Sequence, residues 1–108
     1  MDKYNFSKMR GREIMNNVFD ELALGSGDIR SRLKLAICEF TLLEDIVPRL
    51  PPESGKLYKE IVDMATKYPP RWPGEGTISG TMNRIKNKTG VTIASRLWEF
   101  REMMHENY

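Results

Sequence analysis

Apolar side chains recur along this chain at helical spacing, in stretches divided by glycine and proline. The first stretch predicts a helix from about Arg12 to Leu24, with Ile14, Met15, Val18, Phe19 and Leu22 on one face. Residues 1–10 are more polar and are expected to form a partly ordered N-terminal arm carrying Tyr4 and Phe6. Gly25-Ser26-Gly27 stops the first helix, and Ser26 or Asp28 is placed to cap the second.

The second helix is expected to continue to Val47, ahead of Pro48, and it carries two apolar stripes rather than one. Ile29, Leu33, Ala36, Ile37, Phe40, Leu43 and Val47 form the first. Leu35, Cys38, Leu42 and Ile46 form another on nearly the opposite side. A helix apolar most of the way round is either central to a core or shared with a partner.

A third helix follows Pro51-Pro52, with Leu57, Tyr58, Ile61, Val62, Ala65 and Tyr68 inward. The segment 68–76, rich in proline and glycine and holding Trp72, reads as the longest loop. Thr77 is expected to cap a fourth helix that ends at Thr89-Gly90. Thr92 then opens a fifth, with Ile93, Ala94, Leu97, Trp98, Phe100 and Met104 inward. The reading is all-α: a compact single-domain bundle of about five helices spanning 1–108, with a Pro/Trp-containing loop between the third and fourth.

Composition narrows the chemistry. One cysteine and one histidine, Cys38 and His105, exclude an internal disulfide and the multi-ligand zinc sites, so no metal and no cofactor are expected. Cys38 falls on an apolar line in mid-helix, where a thiol is expected to be buried and inert. Gly25-Ser26-Gly27-Asp28 lacks the spacing of a phosphate loop. The closest acidic doublet, Glu44-Asp45, points its two carboxylates about 100° apart on a helix, so they do not share a site. No enzyme activity is expected. The absence of a long apolar run or a secretory core predicts a cytoplasmic protein without membrane contact.

The formal net charge of +2 conceals one uneven stretch. From Thr77 to Trp98 the chain has Arg84, Lys86, Lys88 and Arg96 but no acidic residue, interleaved with hydroxyl and amide side chains that include Thr92 and Ser95. Cations neutralise phosphates and hydroxyls bond phosphate oxygens, so this composition suits a nucleic-acid surface. Two helices flanking Thr89-Gly90-Val91 resemble the helix-turn-helix family. That resemblance implies a DNA-binding protein whose second helix enters the major groove, using Arg84, Lys86, Lys88, Thr92, Ser95 and Arg96.

The other reading is contact with protein. Trp72 beside Arg71 in a proline-braced loop is the kind of rigid anchor found at binding hot spots. The second stripe of the second helix, Leu35, Leu42 and Ile46, offers apolar surface beyond the needs of a small core. Between the two, a non-catalytic binding module acting on a protein partner or on itself is the leading expectation, in the manner of microbial or phage accessory and regulatory proteins. DNA binding through 77–98 is the alternative.

Overall fold

A computed structural model describes the backbone of residues 3–107 and the side chains of residues 8–104. The chain is all-α. Five α-helices are present among the described residues: α1 (Lys3–Leu24), α2 (Ile29–Phe40), α3 (Pro52–Ala65), α4 (Thr77–Met82) and α5 (Asn87–Asn107). The side chains of Tyr4, Phe6 and His105 lie outside the described ones.

α1 is longer than the apolar pattern suggests, so the segment expected as an arm is helical from Lys3. No proline interrupts residues 3–24, and Gly11, a lone glycine costing about 1 kcal/mol in a helix, does not stop it. α1 ends at Leu24, where Arg32 Nη1 donates to the Leu22 carbonyl at 2.7 Å. Gly27, at φ +88°, supplies the left-handed step of the connection. Asp28 caps α2, its carboxylate accepting from the Ser31 N–H at 3.1 Å.

α2 is central: it packs on α1, α4 and α5 and buries Leu33, Ala36, Ile37 and Phe40. It does not run to Val47. Beyond Phe40 the chain tightens into 3-10 turns over Thr41–Asp45 and Val47–Arg49. Pro48 lacks an N–H and its ring opposes α-helical geometry at Val47 and at the Glu44 carbonyl, so an α-helix does not run on through this point. The tightening relocates a side chain. At about 120° per residue instead of 100°, the step from Leu42 to Ile46 turns roughly 80° further, consistent with Ile46 lying in the core at 3% exposure.

Pro52 opens α3, which lays Leu57, Ile61 and Ala65 against α5. Phe40, Tyr58 and Phe100 meet in one aromatic cluster, with Phe40 5.0 Å from Tyr58 and edge-on to Phe100 at 5.1 Å. α3 ends before Tyr68, which enters the loop and is tied to α4. The Thr81 hydroxyl, fully buried, accepts from the Tyr68 N–H at 3.0 Å and donates back to its carbonyl at 3.3 Å.

The last two helices depart most from expectation. Gly76, at φ +81°, holds the position before α4, and Thr77 is its first helical residue rather than its cap. α4 stops at Met82, the turn occupies residues 83–86, and α5 begins at Asn87. Gly90 is therefore inside α5. It is buried where α5 meets α2: a Cβ there would stand 3.1 Å from Ile29 Cγ2 and 3.4 Å from Leu33 Cδ1. Its smallness serves a close helix approach, which reads in sequence like a turn signal.

Candidate functional site

Two surfaces flank the exposed N-terminal half of α5. Its buried line is Gly90, Ile93, Leu97, Phe100 and Met104. Val91 and Trp98 stand roughly 130–150° to one side of that line, and Thr89 and Arg96 roughly 50–70° to the other, at 100° per residue.

On the first flank, α1, the start of α2 and α5 enclose an open groove of about 400 Å³. Phe19, Leu22, Ile29 and Ala94 line it, between Val91 at 56% exposure and Trp98 at 53%. Trp98 is braced: its ring meets Phe19 edge-on at 5.6 Å, and the Arg101 guanidinium lies over both rings, at 4.9 Å from Phe19 and 5.6 Å from Trp98. A side chain already held in position loses less freedom on binding. Trp98 and Ala94, expected inward, thus face the surface, because Ile93, Leu97, Phe100 and Met104 complete the inner stripe without them.

On the second flank, the end of α3, the 83–86 turn and the start of α5 enclose a groove of about 320 Å³ lined by Met64, Lys67, Tyr68, Arg84, Lys86 and Thr89. Arg84 and Lys67 both lie 5.6 Å from the Tyr68 ring centroid. Among the described residues no carboxylate lines this groove.

Comparison with known protein families, curated proteins and solved structures finds no match to this chain.

Of the residues that sequence reasoning assigned to nucleic acid, the structure joins Arg84 and Lys86 in the turn. The expected turn at Thr89–Val91 is α5 helix, and the turn between the last two helices is Asn83–Lys86. Lys88, Thr92 and Ser95 are exposed along the outer face of α5. The Thr92 hydroxyl is engaged, donating to the Lys88 carbonyl at 3.1 Å. Arg96 leans towards acids instead, with Glu99 at 3.1 Å and Glu60 of α3 at 3.7 Å.

Of the residues assigned to protein contact, Leu35 (58%), Leu42 (48%) and Trp72 (52%) are exposed, and Ile46 is not. Cys38, on the same outer line of α2, is exposed rather than buried. Arg71 stacks on Trp72 with its guanidinium 4.9 Å from the ring. The same Arg71 is locked to Glu75, whose side chain is 1% exposed. Glu75 accepts the Arg71 N–H at 2.7 Å, the Arg71 guanidinium at 3.0 Å and the Asn83 amide at 3.0 Å. Those donors, led by the Arg71 backbone N–H, hold its carboxyl down to about 2. Gly80 lets the loop lie this close, since a Cβ would stand 3.1 Å from Glu75 Oε1 and 3.2 Å from the Pro69 carbonyl oxygen.

Among the described residues no helix is long and apolar enough to cross a membrane.

Proposed function

We propose that this chain is a protein-binding module that acts by self-association through the groove between α1, α2 and α5. The observation that carries the reading is the pair Val91 and Trp98, both more than half exposed, flanking a groove lined by apolar side chains. Contiguous exposed apolar surface with a braced tryptophan is what binding hot spots are made of.

A second copy fits this surface by size and charge. Val91, Ala94 and Trp98 follow the three-and-four spacing of a helix-pairing seam, with small Ala94 and Ser95 at its middle. An antiparallel pairing of α5 helices centred there sets Val91 of one copy against Trp98 of the other. It also sets the exposed Lys88 against the exposed Glu102, opposite charges at opposite ends of the seam.

Sedimentation equilibrium from low micromolar to near-millimolar chain tests this. Wild type is expected to show a monomer–dimer equilibrium, and Val91→Asp to weaken it by roughly thirtyfold, about 2 kcal/mol. Lys88→Glu is expected to weaken it less, and adding Glu102→Lys to restore it. A chain that stays monomeric throughout, or a dimer indifferent to Val91→Asp, contradicts the proposal.

A further inference from the structure

The turn between α4 and α5 is a ridge with cations on both sides. The groove on its α3 side is lined by Lys67, Arg84 and Lys86. A smaller groove of about 140 Å³ on its α2 side is lined by Arg30 and Lys34, with Met82 and Asn83 from α4 and the turn itself. Arg30 joins the two sides by donating from Nη1 to the Ile85 carbonyl inside the turn, at 3.2 Å. Five cations thus surround four residues of backbone, in a chain whose net charge is only +2. Among the described residues the single carboxylate lining either groove is Asp28, paired with Arg30 at 3.0 Å and accepting the Ser31 N–H, so the excess positive charge is carried by Lys34, Lys67, Arg84 and Lys86.

We propose that the ridge formed by residues 83–86, with Arg30, Lys34, Lys67, Arg84 and Lys86 around it, binds the phosphodiester backbone of nucleic acid. A lone anion would engage one side of the ridge, whereas a polyanion with a charge every few ångströms engages both. Amide and hydroxyl groups stand among the cations, Asn83 and Ser31 on one side and Thr89 on the other, suited to phosphate and sugar oxygens. An anionic membrane fits less well. It would need the apolar and basic surfaces on one face, but Thr89 and Trp98 project from α5 roughly 180° apart at 100° per residue. The assignment is independent of self-association, which uses the opposite flank.

Fluorescence anisotropy of a labelled random duplex and a labelled single strand, at about 50 and 200 mM salt, reads this directly. Wild type is expected to bind, with affinity falling steeply as salt rises. Arg84→Gln with Lys86→Gln is expected to weaken binding roughly tenfold at the lower salt and to reduce the salt slope by about two. Lys67→Gln with Lys86→Gln keeps the question open to refutation if loss of the Arg84–Tyr68 stack unfolds the first variant. Lys8→Gln with Arg12→Gln, on α1, is the charge-matched control and is expected to bind as wild type does. Tighter binding to the duplex assigns a double strand, and tighter binding to the single strand assigns an open one. Absence of binding at the lower salt, equal loss in the control, or preference for phosphatidylserine vesicles over both nucleic acids overturns the proposal.

Discussion

The two flanks of α5 share one helix and one core line, yet they carry opposite chemistry. The α1-facing flank is apolar and braced by aromatic stacking between Phe19, Trp98 and Arg101. The α3-facing flank collects Lys67, Arg84 and Lys86 around a tyrosine. The difference teaches that a helix with a narrow buried stripe has two sides to spare, and that its neighbours decide what each becomes. α1 and α2 continue the apolar character of Val91 and Trp98, while the end of α3 adds a cation to those of the turn.

The largest perturbation strikes both flanks at once. Gly90→Leu drives a side chain into Ile29 and Leu33, where even a Cβ would stand 3.1 Å from Ile29 Cγ2. Overpacking of this kind costs about 2 kcal/mol, so the urea midpoint is expected to fall and both surfaces to weaken together. An unchanged midpoint would mean that α2 and α5 separate at no cost and that the frame shared by the flanks is loose. Val91→Asp comes next. It is expected to weaken association roughly thirtyfold while leaving the urea midpoint of the monomer and the basic ridge as they are, since Val91 is already exposed.

Acid distinguishes the flanks by stability. Glu75 anchors the 68–76 loop through Arg71 and holds Asn83 beside the basic ridge, while among the described residues no such buried carboxylate lines the apolar groove. Its carboxyl is held at about 2 from an ordinary 4.5. A depressed folded value means the stabilisation is complete above about 4.5 and is lost as pH falls towards about 2. The gap in urea stability between wild type and Glu75→Gln is therefore expected to close across that interval. A gap that stays constant would show that Glu75 acts by packing alone. Smallest is Arg96→Ala. Its two ion pairs are exposed and screened, so a loss of about 0.5 kcal/mol or less is expected, with nucleic-acid affinity unchanged. A loss of affinity matching that of the Arg84/Lys86 variant would extend the basic surface along α5.

Helix class and core were largely legible in sequence because period alone carries them: Leu33, Ile37, Phe40, Ile61, Leu97 and Phe100 are all buried as their spacing requires. Boundaries were less so. Gly90 serves a helix crossing rather than a turn, and α2 gives way to 3-10 turns after Phe40, which carries Ile46 inward. The apolar groove is hidden in sequence because Ala94 and Trp98 fall next to the core residues Ile93 and Leu97 of α5. Counting the angle would have separated them, since Val91, Ala94 and Trp98 form their own line at three-and-four spacing. The basic ridge was half visible. Arg84 and Lys86 came from composition, but Arg30, Lys34 and Lys67 arrive from distant helices, and only packing brings them to the turn.

The most direct test of the apolar flank as the contact surface is the backbone amide NMR spectrum followed against chain concentration. Shifts are expected to grow at Phe19, Leu22, Ala23, Val91, Ala94, Ser95 and the Trp98 indole, and in Val91→Asp to need roughly thirtyfold more chain. A spectrum independent of concentration, or shifts centred on Leu35 and Leu42 or on Trp72, would contradict the account.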